Sequence, residues 1–377
     1  MKNFCIVKNI RSVTGRLLSA SGLHTRVTPI QSGFSWLLGY IAVSLLIARS
    51  VFWSHAWHFS WIPAGLPNII GYYFVVVHLG LGPLCILFFD ALHEIRKIRC
   101  SDSWRPPRVF VREFVKEYYT PEYLLHGALA YVLVYGALIS YTNLKPAIPL
   151  LEQSLHDDLL FRWDGYLLHL LSFGGAVTIP RHPLVTAFFD MIYFHLWTLA
   201  CITLVMAFRD RRGFWRFTTA WCLAFGLSIP ISILFPSLGP AFYKPELFAH
   251  IGNTNSAALM RDLWDSYRSF KADPYTTSVV SANGIVAMPS LHIALVYLSV
   301  IKLGKYFPRL RFVLWGFLLL FVIATVYLGW HYLSDGIVGI LLGWFAYKMS
   351  TRWFDELADQ EASSDLQRSI DFGKSSA

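Results

Sequence analysis

Charged side chains are scarce in this sequence. Asp, Glu, Lys and Arg make up 15% of its 377 residues, hydrophobic residues make up 55%, and the mean hydropathy is +0.47. A soluble globular domain carries about 25% charged residues. The composition therefore excludes an ordinary soluble domain and indicates a polytopic membrane protein. The length fits one helical bundle better than several domains.

Signatures of metal, disulfide and nucleotide sites are also missing. The five cysteines lack the spacing of a metal site, so we expect no disulfide framework, no metal and no other cofactor. No Gly-rich nucleotide loop, no Gly-x-Ser-x-Gly elbow and no internal repeat is evident. The net charge of +9 is not gathered in a basic, aromatic-interleaved domain, so nucleic acid is not an expected partner. Membrane lipids are the expected partners, and no partner subunit is specified.

Long apolar segments are what the sequence does contain. A segment of roughly 17–25 apolar residues is long enough to cross a bilayer as a helix. The sequence predicts an all-α bundle of about eight transmembrane helices, with the last two forming a tight helical hairpin. The predicted spans are 34–54, 69–91, 122–142, 184–207, 214–236, 287–304, 311–328 and 332–349.

The distribution of positive charge predicts the orientation of the bundle. Lys and Arg are concentrated in the N-terminal segment and after the second, fourth and sixth spans, whereas 55–68 and 329–331 have none. Cytoplasmic loops carry the excess of positive charge, so both termini are expected in the cytoplasm. We interpret 1–33 as a cytoplasmic tail rather than a cleaved signal, and 34–350 as the membrane domain. The acidic, Ser-rich segment 351–377 is predicted to be a disordered tail.

Two longer segments fall on the expected outer side, which is periplasmic, extracellular or lumenal. In 143–183, short apolar stretches alternate with Asp, Pro and Gly, which predicts short helices at the membrane interface. These helices could line a lipid entrance or form a solvated cap over the bundle, and both interpretations stay open. Segment 237–286 is polar, rich in turn residues, and leads into the first of two histidine motifs.

The first motif is Pro289-Ser290-Leu291-His292, which opens the sixth predicted span. Pro289 suits the first turn of a helix, because its missing N–H and fixed φ cost nothing there. The free N–H groups and the positive end of the helix dipole favour binding of a phosphate beside Ser290 and Leu291.

The second motif joins His331 and Asp335, which are four residues apart and so share a helix face. The carboxylate can then hold the imidazole in one tautomer. A single His-x-x-x-Asp is weak evidence, because a histidine at a membrane boundary more often serves interfacial packing. Two such elements on the same expected side of the bilayer favour phosphoryl transfer through a histidine nucleophile.

These motifs resemble the second and third signatures of the type 2 phosphatidic acid phosphatase superfamily, Pro-Ser-Gly-His and Ser-Arg-x5-His-x3-Asp, over 286–340. Leu291 replaces the glycine, and Ala324 and Thr325 stand at the Ser-Arg positions. The first signature, Lys-x6-Arg-Pro, is not found. The sequence is similar to the inositol phosphorylceramide synthase (inositolphosphotransferase) branch of this superfamily.

The resemblance implies a role for each motif residue. His331 would attack phosphorus, and Asp335 would fix its tautomer. His292 would protonate the leaving oxygen and then activate the acceptor. The backbone around Ser290 and Leu291, with the Ser290 hydroxyl, would hold the phosphoryl oxygens.

The missing arginine requires positive charge from elsewhere. Arg268 and Lys271, with Lys244 and Arg261 as further candidates, are the nearest basic residues in the chain. Each alone is more often a solvated surface charge, so we expect only one or two to contribute.

Asp190 and His195 lie in the fourth predicted span. Ionisable groups within spans are functional candidates by default. These two could face the catalytic pocket or hydrogen-bond neighbouring helices, and the second role is slightly favoured.

The expected activity is transfer of a phosphoryl or phospho-head group from a phospholipid to a lipid alcohol such as ceramide or diacylglycerol. Hydrolysis of phosphatidate, sphingoid phosphates or polyprenyl phosphates is the alternative. A membrane transporter without chemistry is a second alternative, although transporters more often show repeats with broken helices.

Overall fold

A computed structural model describes residues 29–98, 106–171, 181–275 and 284–375, without residues 58, 64, 65, 152, 153 and 274. These residues are mostly helical and include no strand, which confirms the all-α prediction. Most of the tail predicted over 1–33 lies outside the described residues, and the first described helix begins at Pro29.

The described part of the chain contains fourteen α-helices, numbered here in chain order. They are α1 (Pro29–Ser54), α2 (Leu66–Tyr72), α3 (Gly82–Ile98), α4 (Pro107–Tyr118), α5 (Pro121–Leu151), α6 (Asp157–Leu171), α7 (Pro183–Phe194), α8 (Leu196–Ala207), α9 (Arg211–Leu234), α10 (Pro240–Tyr243), α11 (Asn255–Ala272), α12 (Leu291–Tyr306), α13 (Arg311–Tyr327) and α14 (Leu333–Ser375). A π-helical segment, Tyr73–Leu81, joins α2 to α3, and 3₁₀ helices follow α10 and α12.

The described residues include five helical stretches that are long and apolar enough to cross a membrane, or six if the bent pair α7–α8 is one span. This finding indicates an integral membrane protein, but the predicted count of eight is not confirmed. One reason is that α12 has only 16 residues, fewer than the ~20 that a span needs. The five stretches are Leu37–Ser54, Leu66–Leu92, Pro121–Pro149, Arg211–Leu234 and Pro308–Tyr327.

Helix α12 is the centre of the bundle. It packs against α8, α9, α13 and α14, and most of its residues are buried on every side, as expected for a helix that is apolar all round. Helix α14 approaches it closely at Gly339, where a Cβ atom would lie 2.3 Å from the Ser290 carbonyl oxygen. Direct contact between α13 and α14 is slight. The predicted tight hairpin is therefore wrong, because α13 and α14 both pack mainly on other helices.

Helix α5 extends nine residues beyond the predicted end of the third span. The prediction stopped at 142 because Pro146 and Pro149 each remove a helical hydrogen-bond donor. The helix instead continues through both prolines to Leu151. Residues predicted to lie in an outer segment, including Lys145, are therefore the last turns of a bundle helix. Helix α6 is a short helix within 143–183, as predicted.

The connection from α13 to α14 is held in one conformation. Gly329 has φ +76°, and a Cβ atom there would lie 2.6 Å from the Phe248 ring, so only glycine fits. Its carbonyl oxygen accepts a hydrogen bond from the Ala241 N–H at 3.0 Å. The loop that carries His331 is thereby tied to α10.

The C-terminal segment differs from its prediction. We expected disorder over 351–377, but α14 continues to Ser375. The segment contains no proline after residue 350 and several strong helix formers, among them Ala, Glu, Gln and Leu, which favour continuation of the helix.

Candidate active site

The two motif histidines meet at one end of the bundle. The Nδ1 atom of His292 lies 3.1 Å from the Nε2 atom of His331. His292 is the second residue of α12, and His331 lies two residues before α14. His331 is buried, with 4% of its surface exposed, so an anion between the rings would be largely shielded from water.

The opposite side of the His331 ring fixes its tautomer. Its Nδ1 atom lies 3.0 Å from the Ala287 carbonyl oxygen and 3.5 Å from a carboxylate oxygen of Asp335. Both neighbours are acceptors, so we assign the proton to Nδ1. The Nε2 lone pair then points towards His292, as a nucleophile requires.

Asp335 also links the two motifs through other bonds. It is fully buried, and its carboxylate accepts a hydrogen bond from the Tyr332 N–H at 2.8 Å. Its backbone carbonyl accepts one from the Ser290 N–H at 3.0 Å. The start of α12 and the start of α14 are therefore bonded directly to each other.

The structure changes the interpretation of the first motif. Pro289 does not lie in the first helical turn, because Ser290 is the N-cap and α12 begins at Leu291. The Ser290 hydroxyl accepts a hydrogen bond from the Ile293 N–H at 3.3 Å, and the Ser290 N–H is bonded to Asp335. Both groups expected to bind phosphate are thus engaged in holding the helix start. Leu291 lines the cavity beside His292.

The basic residues predicted to replace the missing arginine lie away from the histidine pair. Arg261, Arg268 and Lys271 are exposed on α11, and Lys244 lies over the Tyr243 ring at 5.1 Å. None of these four side chains lines the cavity that contains the histidines. The structure therefore gives no support to a role for them in phosphate binding.

Lys145 is the basic residue that the cavity wall does contain. It is half-buried near the end of α5, and it shares the cavity wall with His292 and His331. Sequence reasoning missed it because the third span was ended at 142. The available signal was a lone lysine following an uninterrupted apolar segment, since an ionisable group at the end of a span is a functional candidate.

Asp190 and His195 have structural positions. Asp190 caps α11, because its carboxylate accepts hydrogen bonds from the N–H groups of Asn255 at 3.1 Å and Ser256 at 2.9 Å. His195 is exposed at the bend between α7 and α8, where its Nδ1 lies 2.7 Å from the Met191 carbonyl oxygen. Neither side chain reaches the histidine pair. Asp190 bonds a neighbouring helix, the role that the sequence favoured, whereas His195 bonds the last turn of its own helix.

Asp190 supports the site indirectly through an aromatic stack. Ser256, which Asp190 holds, accepts a hydrogen bond from the Trp330 indole N–H at 3.0 Å. The Trp330 ring stacks on Tyr193 with centroids 5.0 Å apart. The Tyr193 hydroxyl lies 3.4 Å from the Nε2 atom of His292. This chain of contacts positions the far side of the His292 ring.

Two buried carboxylates on α6 brace the loop around His331. Asp157 accepts hydrogen bonds from the Gly239 N–H at 2.9 Å and from the Tyr332 hydroxyl at 2.8 Å. Asp164 accepts from the Ser334 N–H and hydroxyl, each at 3.0 Å, and from the Leu333 N–H. Asp164 therefore caps α14, and burial raises its pKa despite these hydrogen bonds. Sequence reasoning saw α6 only as an interfacial helix.

A cavity of about 220 Å³ opens from the histidine pair into the bundle. Lys145, His292 and His331 lie in its wall, whereas most of the remaining wall is aliphatic or aromatic. A site with a small cationic region and an apolar body suits an amphiphile with an anionic head.

Comparisons with known proteins identify the family. A sequence model of the PAP2 superfamily matches residues 160–349, about half of the chain, and this stretch contains both histidine motifs. Searches of curated proteins and of solved structures each found no match. The chain therefore belongs to the PAP2 superfamily of type 2 phosphatidic acid phosphatases and is a phosphatase or phosphotransferase.

Proposed function

We propose that this protein is a membrane lipid phosphotransferase that works through a phosphohistidine. The observation that carries the proposal is the contact of His292 and His331 at the cationic end of an apolar cavity. The cavity suits a lipid, and the paired imidazoles supply a nucleophile and a proton donor. By the distribution of positive charge, the site faces the outer side of the membrane.

In the first step, the Nε2 atom of His331 attacks phosphorus of the donor phospholipid. The bond from phosphorus to the donor's lipid oxygen breaks, and His292 gives that oxygen a proton. The Nδ1–H of His331 keeps its acceptors, Ala287 and Asp335. The carboxylate thereby stabilises the positive charge that develops on the ring.

In the second step, an acceptor oxygen attacks phosphorus and the bond to His331 breaks. His292 takes the proton of the acceptor hydroxyl as the new bond forms, which returns both rings to their starting state. We propose a lipid alcohol such as ceramide or diacylglycerol as acceptor, in line with the inositolphosphotransferase resemblance. Burial of His331 supports this choice, because a shielded site limits competition by water.

Lys145 supplies the positive charge for the phosphoryl oxygens in this proposal. A lysine binds phosphate as a point charge rather than as a planar fork. It therefore neutralises the oxygens with less geometric constraint than the arginine of the superfamily signature. The half-buried position of Lys145 strengthens its attraction to an anion in the cavity.

The reaction can be tested with purified protein in lipid vesicles and a donor phospholipid carrying a labelled phosphate. Label that appears in a new phospholipid only when ceramide or diacylglycerol is added supports the transferase. Release of free phosphate regardless of these alcohols would instead identify a hydrolase of lipid phosphates. Turnover that is unchanged in His331→Ala and His292→Ala would rule out this mechanism, whereas lipid binding without any turnover in the wild-type protein would favour a transporter.

A further inference from the structure

The cavity follows one face of α5 over a length greater than the thickness of one bilayer leaflet. Tyr131, Val134, Leu138, Tyr141 and Lys145 all lie in its wall, and their spacing of three and four residues places them on one helix face. Tyr131 and Lys145 are fourteen residues apart in sequence, which corresponds to about 21 Å at 1.5 Å per residue. Half of a bilayer's hydrocarbon core is about 15 Å.

The other walls continue the same path. Trp197, Cys201 and Leu204 line it from α8, and Trp221 and Phe225 line it from α9. Helix α12 contributes only residues of its first turns, among them His292. The cationic groups are therefore at one end, and the far end is closed by buried apolar and aromatic side chains.

The dimensions restrict what this space can hold. The cavity extends along much of α5, yet its volume of about 220 Å³ lies below the ~300–1,000 Å³ of a typical ligand pocket. Spread along about 21 Å of α5, this volume leaves width for at most one hydrocarbon chain, and we call the space the tunnel. Away from Lys145 and the two histidines, water is a poor occupant, because cavities with apolar walls stay dry.

We propose that this tunnel takes one hydrocarbon chain of the lipid phosphate, while the phosphate lies between Lys145 and the histidine pair. The inference rests on the proposed function for its head group and adds the binding site of the tail. A second chain, where the substrate has one, stays in the bilayer. The tunnel thus makes turnover depend on the length and shape of a single chain.

An entrance for the chain lies on the side of α2. Ile69 lines the tunnel and is 41% exposed on the outer surface of the bundle, where the surrounding bilayer would contact it. Leu66, which is buried, and Tyr73 continue the wall inwards. A hydrocarbon chain can therefore enter laterally from the bilayer without passing through water.

A matched pair of substitutions on α5 tests the tunnel. Val134 is buried in its wall, whereas Val132 is 65% exposed and is not part of it. We expect Val134→Trp to lower kcat/KM for a long-chain lipid phosphate by about tenfold or more, as pocket-filling changes do. The kcat/KM of Val134→Trp for a short-chain analogue should stay within about twofold of the wild-type value. Val132→Trp should leave kcat/KM for both substrates unchanged.

Binding of non-hydrolysable alkyl phosphonates separates this inference from the proposed reaction. Wild-type protein should bind hexadecylphosphonate more tightly than hexylphosphonate, and Val134→Trp should abolish the difference. Equal effects of Val134→Trp on both chain lengths would overturn the tunnel even if the enzyme turns over. A chain-length effect that Val134→Trp removes would support the tunnel even if no phosphoryl transfer were detected.

Cys201→Phe narrows the tunnel from the opposite wall and serves as the second variant if Val134→Trp does not fold. Folding is checked by monodisperse elution in detergent. The second variant should reproduce the selective loss of long-chain binding. Retention of wild-type chain-length preference in a folded Cys201→Phe protein would count against the proposal.

Discussion

The Nδ1 atom of His292 lies 3.1 Å from the Nε2 atom of His331, so the two rings touch where phosphorus must bind. The His331 ring is held on its other side by Ala287 and Asp335. The His292 ring has only a 3.4 Å contact with the Tyr193 hydroxyl on its far side. His292 is therefore the ring that we expect to turn away when the substrate enters and to return, positioned by Tyr193, when it donates its proton.

Substitutions of the two histidines should have different effects when the leaving group of the donor is varied. His331→Ala removes the nucleophile, so it should abolish phosphohistidine formation with every donor. His292→Ala should slow transfer from a lipid donor by about 10²–10⁴-fold, yet retain formation of the intermediate from 4-nitrophenyl phosphate, whose leaving group needs no proton. Acid-labile labelling of the protein measures this step, and equal losses with both donors would contradict the assignment of His292.

Asp335→Asn should lower kcat less than it would if Asp335 were the sole group that orients His331. The Ala287 carbonyl is closer to the Nδ1 atom of His331 than the carboxylate is, so it can hold the tautomer alone. We expect kcat to fall about 10–100-fold, which is less than the ~10⁴-fold loss expected where a carboxylate alone holds the tautomer. Steady-state kinetics checks this, and a loss as large as that of His331→Ala would show that the carboxylate has a more direct role.

Lys145→Met should weaken binding of the substrate phosphate. The variant keeps most of the length of the side chain but removes the charge from the cavity wall. We expect KM for the donor phospholipid to rise by about tenfold or more, since a charge-assisted contact is worth about 1.5–3 kcal/mol. Lys271→Met is the matched control, because Lys271 is exposed on α11. Equal kinetic effects of the two variants would remove Lys145 from the phosphate site.

Asp164→Asn should destabilise the start of α14. The amide retains one acceptor oxygen but loses the charge and part of the bonding to Leu333 and Ser334. We expect a loss of about 1–2 kcal/mol in the free energy of unfolding and a lower kcat, because His331 lies two residues before the capped helix.

The control for Asp164→Asn is Asp158→Asn on the same helix. Asp158 is exposed and pairs with Arg162, and exposed pairs contribute about 0–1 kcal/mol. Thermal unfolding in detergent and kcat should both be close to those of the wild type. If Asp164→Asn behaved like this control, α6 would not brace the site.

The motif residues could be predicted from the sequence because their spacing is local. His331 precedes α14, but it is only four residues from Asp335 and still meets its carboxylate. The run from Pro289 to His292 marks the start of α12. The phosphate-binding interpretation of Ser290 was harder, because its N–H bonds to the Asp335 carbonyl, forty-five residues away in sequence. No local pattern reports such a partner.

The position of Lys145 could not be predicted for a different reason. Proline usually ends a helix, but α5 passes through Pro146 at a place where Gly284 packs directly on it. Similarly, Asp157 and Asp164 lie in a segment predicted only as interfacial helices, because the loops they cap are distant in sequence. Tertiary contacts determine these positions, and local sequence propensity carries no information about such contacts.

The backbone bond from Ser290 to Asp335 has a consequence for the rhythm of turnover. It holds the segments of both histidines in a fixed relation to each other. We therefore expect a catalytic cycle without displacement of helices, a motion that takes microseconds to milliseconds. We then expect the slow steps to be the entry of one lipid from the bilayer and the release of another into it. Such an enzyme should respond to the fluidity of its membrane more than to the stiffness of its own chain.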